Sequence, residues 1–314
     1  MTTEAQAIAQ AAPRGLGAAR PRWGERIVEG LLLLCALVSV AVTVGIVVAL
    51  VEPSIEFFGE VSLGEFFTGT EWSPLFSDPQ FGVLPLVAGT LVTTFWALVV
   101  CVPFGLGAAI WLSEYAGPRA RAILKPTLEV LAGIPTVVYG FFALTFVTPL
   151  LQDIWLFGEK PEVFNALAAG LVMGIMILPT VASLSEDAMS SVPSGLREGA
   201  LALGGSRMQV ATRVVVPAAL SGIVASFVLA ISRAVGETMI VLIAAGNMAN
   251  LGINPTEQMQ TMASFIGSAG IGDQATGTIG YKTIFAVGAT LFAATFVMNL
   301  ISIRLVRRYR EVYE

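Results

Sequence analysis

The chain has 314 residues, of which 55% are hydrophobic and only 12% charged, and its mean hydropathy is +0.80. A soluble domain carries about a quarter of its residues as charged side chains, so this composition excludes one and indicates a polytopic membrane protein. The lack of histidine excludes a Ser-His triad and removes the commonest metal ligand. None of the three lysines follows a glycine, which excludes a Walker A site for ATP.

Six apolar stretches are long enough to cross a bilayer, which takes about 20 helical residues. They predict an all-α protein with six transmembrane helices, preceded by a tail at residues 1–26. The first stretch is longer than a signal-peptide core and no small-residue cleavage site follows it, so we expect it to be retained. The predicted spans are residues 27–51, 83–112, 128–151, 164–184, 218–245 and 284–306.

Basic residues cluster on one side of these spans. All but Lys160, Lys282 and Arg233 of the 17 lysines and arginines lie in the tail, in the second-to-third and fourth-to-fifth connections, or at the C-terminal end. The positive-inside rule assigns that side to the cytoplasm. We therefore expect a multi-pass membrane protein with both termini cytoplasmic.

The connections on the other side are acidic or polar. Residues 52–82 contain six acidic and no basic side chains, and residues 246–283 are rich in Gly, Asn, Gln and Thr. Such loops are either a solvated surface or a docking face for a soluble partner. An acidic rim repels a free anion within the Debye length of about 8 Å, so an anionic solute would have to arrive inside a carrier protein.

Two predicted spans contain helix-interrupting residues. Gly133-Ile134-Pro135 lies in the third span and Pro179 in the fourth. A proline inside a helix predicts a kink. Such kinks are tolerated in membrane helices, because neighbouring helices can satisfy the carbonyl groups that the proline leaves free. At the start of the third span, Glu129 follows Lys125 by four residues, a spacing that predicts an ion pair on one helix face.

The connection at residues 185–217 predicts a helix, a glycine turn and a second helix. A Pro-Ser pair at 193–194 suits a helix start, and apolar residues follow it at helical spacing. Gly204 suits the end of that helix, and Ser206 with Gln209 predicts a capping box that opens the next. The loop is either an amphipathic connector or a stiff element that receives force from a partner.

Arg233 and Glu237 are the only charges in the apolar run from residue 217 to residue 245. A charge near the bilayer centre costs about 2.5–3.5 kcal/mol on insertion scales, so it usually faces a bundle interior or a hydrated path. The four-residue spacing predicts that both side chains share a helix face and pair. The pair is either a translocation site for a polar solute or a structural ion pair.

Several segments resemble known permeases. Glu198-Gly199-Ala200, Gly204 and Pro217 resemble the EAA loop of ABC-importer permeases, in which a Glu-Ala-Ala-like triplet precedes a glycine and a proline. The middle residue, Gly199, departs from that pattern. The segment FFTGTEWSP at 66–74 is similar to the PstC-type rather than the PstA-type subunit of phosphate-specific permeases. Segments similar to phosphate permeases in general are LAGIPTVVYGFFAL at 131–144, ILPTVASLSEDA at 177–188, LREGALALGGSR at 196–207 and RAVGETM at 233–239.

This resemblance, which runs from about residue 26 to the end, implies a type I ABC importer permease with the MetI-like fold over residues 27–314. It implies a heterodimer with a PstA-like permease, an ATPase homodimer that binds ATP and Mg²⁺, and a phosphate-binding protein on the outer face. This chain would be non-catalytic, without cofactor or metal, embedded in lipid and free of nucleic acid. By motif, Glu198, Gly199, Ala200 and Gly204 would couple to the ATPase, and Arg233 and Glu237 would act in phosphate translocation.

Two other functions remain open from the sequence. A permease for another oxyanion, such as sulfate or molybdate, would have the same EAA loop, so the choice rests on the RAVGETM segment and the first outer loop. A secondary transporter acting alone would need no ATPase, and an internal repeat would favour it. We find no convincing repeat in the chain.

Overall fold

The computed structural model describes residues 23–308 except 77, 157 and 273. Among these residues the regular elements are helices, apart from one bridge between Trp72 and Phe81, so the all-α prediction is confirmed. The helices are α1 (Trp23–Glu60), α2 (Leu63–Thr68), α3 (Leu84–Ile110), α4 (Pro118–Ala132), α5 (Thr136–Phe142), α6 (Thr148–Ile154), α7 (Ala166–Ser190), α8 (Ser194–Ala202), α9 (Arg207–Val210), α10 (Val216–Ala218), α11 (Leu220–Val235), α12 (Met239–Ala244), α13 (Met262–Ile271) and α14 (Ile279–Arg308).

The chain divides into two units, Met1–Ala49 and Leu50–Glu314. In the described part of the first unit, the side chains from Ile27 to Val48 are exposed almost throughout. An apolar helix that is exposed on all faces is stable in lipid rather than in water, which agrees with the predicted first span. The predicted tail lies outside the described residues up to residue 22, and the helix begins at Trp23 rather than at residue 27.

Five helical stretches in the described part of the chain are long and apolar enough to cross a membrane. A sixth is obtained if Arg207–Ala218 and Leu220–Val235, which meet at 72°, form one broken span. The predicted number of six therefore depends on this bent pair. The five are Gly24–Glu60, Leu84–Tyr115, Thr136–Ile154, Ala166–Ser190 and Ile279–Arg304.

The boundaries of four predicted spans were wrong. The helix of the first span continues to Glu60 instead of ending at residue 51. The third span begins at Thr136 and not at residue 128, because α4 is a separate amphipathic helix and the chain breaks at residues 133–135 instead of kinking. The hydroxyl of Tyr139 donates to the carbonyl of Leu131 across that break, at 2.9 Å. The fourth span continues to Ser190, and the helix of the fifth ends at Val235.

Helix α7 is the centre of the second unit. It packs along α3 and against α11, and two thirds of the residues in its most apolar segment are buried. The approach to α3 is close because small residues line it: a Cβ on Gly174 would lie 2.6 Å from the carbonyl oxygen of Ala97. Small residues let helices approach closely in a membrane, where apolar surface alone gives no driving force.

The two ends of the second unit differ in charge. We call the end at which α4, α8 and α9 lie the basic end. The opposite end, with α2 and α13, is the acidic end. At the acidic end, backbone hydrogen bonds join residues 162–167 to residues 255–257. An aromatic cluster at this end includes Phe57, Phe66 and Trp72, and Trp72 also packs on Phe265 of α13.

Candidate translocation and coupling sites

Arg233 lies in the last turn of α11, half-buried beside the central apolar cluster. The negative partial charge of a helix C-terminus stabilises a cation in this position. The Nη1 atom of Arg233 donates to the hydroxyl of Thr180 on α7, at 3.0 Å. A guanidinium has five N–H donors, and in the described part of the chain this hydroxyl is the one acceptor that Arg233 reaches.

Glu237 does not pair with Arg233, so the predicted ion pair was wrong for the described structure. Helix α11 ends at Val235, and the chain turns at Gly236 before α12 begins. The carboxylate of Glu237 instead accepts hydrogen bonds from the backbone N–H groups of Met239 and Ile240, at 3.1 and 3.3 Å. Because the helix is broken between the two residues, their four-residue spacing no longer places them on one face.

The contact between α7 and α11 carries a second polar pair. The hydroxyls of Ser185 and Ser226 lie 2.8 Å apart and are fully buried. Gly222, one turn before Ser226, lies so close to Ala188 that any side chain at this position would clash with it. A tight, polar interface between these helices therefore fixes the backbone that carries Arg233.

The loop at residues 185–217 has the predicted helix–turn–helix form. Helix α8 is followed by Gly204 in the left-handed region, at φ +81°, where glycine is tolerated without strain. Ser206 and Gln209 form both hydrogen bonds of the predicted capping box. Glu198, Gly199 and Gly204 are exposed, and Ala200 is half-buried.

Three large apolar residues in and after α8 face outward, although others in this loop are buried. Leu203 is 92% exposed and Met208 is 69% exposed, and Leu201 is also exposed. The amphipathic character predicted for α8 thus does not bury its leucines in this chain. The exposed leucines and the exposed Glu198 together form a surface with apolar and charged parts.

A buried carboxylate organises the basic end. Glu186 on α7 is fully buried and binds Arg121 of α4, and it accepts a hydrogen bond from Lys125 Nζ at 2.8 Å. It also accepts one from Ser190 at 2.8 Å. Asp187, which is more exposed, binds Lys125 Nζ at 2.5 Å. A buried acid is stable only when it is paired and hydrogen-bonded, and here α4 supplies the cations.

Lys125 therefore does not form the ion pair that its spacing to Glu129 predicted. The hydrogen bonds from Lys125 to Asp187 and then Glu186 raise the pKa of the ammonium above its ordinary value of 10.5. Contacts with two carboxylates on α7 outweigh a single exposed contact within α4, because one of the two carboxylates is removed from water.

Arg197 on α8 forms the second buried ion pair of the basic end. Its Nε and Nη2 atoms donate to Glu114 Oε1 at 3.2 and 3.1 Å. Its Nη1 atom donates to the carbonyl of Val192 at 2.6 Å, and Nη2 donates to that of Met189 at 2.7 Å. Glu114 lies in a π-helical turn, Trp111–Tyr115, which continues α3.

The acidic end contains a cavity of about 650 Å³ between the first outer loop and α13. The indole Nε1 of Trp72 and the side-chain amide of Gln274 are buried there, and neither finds a hydrogen-bond partner in the described part of the chain. The described lining residues are uncharged. The first outer loop is acidic in sequence, but this cavity is lined by amide, hydroxyl and apolar groups.

The helical membrane fold and the exposed loop at the basic end are the features expected of an ABC importer permease. Residues 101–311 match the protein family described as "Binding-protein-dependent transport system inner membrane component", and the chain belongs to this family.

Relatives in other organisms narrow the assignment. A probable ABC transporter permease, YqgH of Bacillus subtilis, is 35% identical over 88% of this chain and 89% of its own length. The phosphate transport system permease PstC 1 of Mycobacterium tuberculosis is 34% identical over 81% and 85%. PstC of Mesorhizobium japonicum is 32% identical over 76% of each chain. This chain is a permease subunit of the PstC type.

Two solved structures share the fold. A chain of a bacterial alginate ABC transporter aligns with a TM-score of 0.64 at 18% identity, covering 92% of this chain and 98% of that one. A chain of the MetNI methionine ABC transporter aligns with a TM-score of 0.52 at 20% identity, covering 73% and 95%. These likenesses confirm the predicted MetI-like importer fold.

Sequence reasoning missed three groups that the structure brings to the sites. Thr180 is one hydroxyl among many in the apolar spans, and nothing in its sequence context distinguishes it. Glu186 could have been singled out, because an acid that directly follows an apolar run needs a partner if the helix continues. Glu114 and Arg197 are 83 residues apart, so their spacing gives no signal.

Proposed function

We propose that this chain forms half of the translocation path of an ATP-driven phosphate importer, together with a PstA-like permease. Two observations support this function. Arg233 is held between apolar helices with most of its donors unused, and the chain is similar over most of its length to permeases named for phosphate transport. A planar guanidinium donates to phosphate oxygens in pairs, so it replaces part of the water that the ion loses on entering.

The role of Glu237 in this proposal differs from that of a counter-ion. Its carboxylate is engaged with the N-terminus of α12, so it fixes the turn that follows Arg233. The break at Gly236 brings the end of α11 and the start of α12 close together in the chain. Glu237 thereby positions Arg233, and it lowers the affinity for an anion through charge repulsion across the turn.

Energy for transport comes from a partner, since this chain lacks a Walker A motif. We propose that an ATPase homodimer, which binds ATP and Mg²⁺, docks on the loop with Glu198, Gly199, Ala200 and Gly204. The exposed leucines beside these residues support that contact. Closure of the ATPase dimer would then move α8 and the ends of the spans attached to it.

The basic end faces the cytoplasm in this proposal, as the positive-inside rule requires. Both termini would then be cytoplasmic, in a bacterial cell membrane. The acidic end would receive a phosphate-binding protein, consistent with the binding-protein dependence in the name of the family. The uncharged cavity at that end, with its unpaired indole and amide, offers hydrogen bonds to a docked protein without attracting free anions.

The decisive experiment is phosphate uptake by cells in which this chain is the only PstC-type permease. We expect Arg233→Gln to abolish uptake while the ATPase and the second permease still co-purify. Arg119→Gln, at an exposed arginine of α4 on the basic end, serves as the matched control. Loss of assembly in Arg233→Gln would show a structural role, and uptake of sulfate or molybdate in place of phosphate would identify another oxyanion.

Docking of the ATPase is tested separately with Glu198→Lys. The charge reversal lies on an exposed position, so it leaves the fold intact and should weaken co-purification of the ATPase together with uptake. Normal co-purification combined with normal uptake would contradict the proposed contact. Transport by the chain alone in liposomes, without an ATPase, would favour a secondary transporter.

A further inference from the structure

Arg197 immediately precedes the proposed ATPase contact, but its side chain points the other way. Glu198 is exposed, whereas the guanidinium of Arg197 reaches Glu114 and the carbonyls of Met189 and Val192. Its four hydrogen bonds all go to residues outside α8. A single side chain therefore attaches α8 both to the end of α3 and to the end of α7.

The burial of this contact makes it rigid. The side chain of Glu114 is only 10% exposed and that of Arg197 is 23% exposed. The hydroxyl of Ser113 also donates to Glu114 Oε1, at 2.9 Å. Charge-assisted hydrogen bonds that are shielded from water are stronger than neutral ones, and a buried partner left alone is costly. The connection therefore resists separation of α8 from α3.

The ends of both helices are shaped for this contact. Near the end of α7, Arg197 donates to the carbonyl of Met189, which also accepts the backbone N–H of Val192, and to the carbonyl of Val192 itself. On α3, the π-helical turn Trp111–Tyr115 places Glu114 where Arg197 can reach it. Single π-helical turns frequently occur at functional positions.

We propose that Arg197 and Glu114 are positioning residues that transmit displacement of α8 to α3 and α7. This inference rests on the proposed function, in which α8 docks on an ATPase. The path continues inside the chain: α3 packs along α7, and α7 carries Thr180, the partner of Arg233. Within the described residues, the Arg197–Glu114 ion pair is the one salt bridge that joins α8 to the π-helical turn after α3.

The test separates coupling from assembly. We compare Arg197→Ala, Glu114→Gln, Glu114→Ala and the double variant Arg197→Ala/Glu114→Ala in the full importer, reconstituted with its ATPase and binding protein. Arg119→Ala, at an exposed arginine of α4 on the same end, is the matched control. The measurement is the number of ATP molecules hydrolysed per phosphate transported, together with co-purification of the ATPase.

We expect the ATPase to remain bound and active while uptake falls about tenfold, so that the ratio of ATP to phosphate rises by that factor. Glu114→Gln, which keeps shape and a neutral acceptor, should show a smaller rise. The double variant should be no worse than Arg197→Ala, since residues that act as a unit are not additive.

Three outcomes would overturn the inference. An unchanged ratio in all variants would show that force reaches the spans without the ion pair. A parallel loss of ATPase binding and uptake would show a merely structural role. Glu114→Gln, which keeps the shape of the side chain, distinguishes such a role from failure of the variant to fold. Additive effects in the double variant would show two separate roles. A wild-type importer without ATP-dependent phosphate uptake would instead refute the proposed function.

Discussion

The cations of the basic end and the arginine between the helices are held in opposite ways. Glu186 is fully buried and takes hydrogen bonds from Arg121 and Lys125, so both cations have partners supplied by the fold. Arg233 has one neutral partner, Thr180. A charge whose partners are built into the fold stabilises one geometry, whereas a charge with unused donors can take up and release a ligand. The comparison separates charges that the fold itself pairs from the arginine for which we propose a role in transport.

The largest effect on stability is expected when the buried carboxylate of Glu186 is removed. Glu186→Ala leaves Arg121 and Lys125 without their buried acceptor, and we expect the free energy of unfolding to fall by about 3 kcal/mol. Asp187→Ala is the matched control, because Asp187 is 56% exposed and binds only Lys125; its loss should stay below about 1 kcal/mol. Thermal unfolding of the purified permease complex measures both. Equal losses would show that burial of Glu186 does not matter.

The next largest effect is expected on uptake, when Arg233 is replaced. Arg233→Lys keeps the charge but loses the planar set of donors, so we expect uptake to fall about tenfold, the effect of about 1.4 kcal/mol on a transport barrier. Stability should change by less than about 0.5 kcal/mol, because the substitution breaks no structural ion pair. Initial uptake rates and thermal unfolding check the two parts. A stability loss like that of Glu186→Ala would place Arg233 among the structural charges.

A smaller effect is expected from the hydroxyl that holds Arg233. Thr180→Val preserves shape and removes one acceptor, a change worth about 1 kcal/mol, so uptake should fall about two- to fivefold. Thr145→Val is the control, since its exposed hydroxyl bonds only to the carbonyl of Phe141, one turn earlier in the chain. Uptake rates that match wild type in Thr180→Val would show that the ligand path does not depend on this orientation of the guanidinium.

The smallest effect concerns pH. The pKa of Lys125 is raised in the fold by its hydrogen bonds to Asp187 and Glu186. The stabilisation is therefore fully present below the ordinary pKa of 10.5 and is lost as the pH rises through the higher value of the folded state. We expect unfolding temperatures that do not depend on this group from about pH 6 to about pH 9, and an alkaline decrease that is weaker in Lys125→Gln. An identical alkaline decrease in both proteins would contradict this account.

Local chemistry predicted the loop at residues 185–217 well. The capping box of Ser206 and Gln209 and the left-handed Gly204 follow from residues three or fewer positions apart. Such features depend on hydrogen bonds and backbone freedom within a few residues. The direction in which the leucines of α8 point was not available from that pattern, since it depends on where Arg197 anchors the helix.

Five of the six predicted membrane helices are single helices in the structure, the sixth is a bent pair, and the ends of several differ from the prediction. Apolar length identified the spans, because a bilayer sets a minimum run of about 20 residues. Their ends depend on polar partners that composition does not give. Helix α7 extends beyond its apolar run because Glu186 is paired by α4, and α11 stops before Glu237 because the chain turns at Gly236.

The sequence by itself determined that this is an all-helical membrane protein, which residues form its EAA-like loop, and that one arginine lies in an apolar run. Composition, periodicity and short-range capping fix these properties. Only the tertiary structure decided which charges are paired: Glu186 with Arg121, 65 residues away, Glu114 with Arg197, and Arg233 with a hydroxyl instead of Glu237. Pairing between helices depends on how they pack and where each one ends, and neither is written in the spacing of residues along one helix.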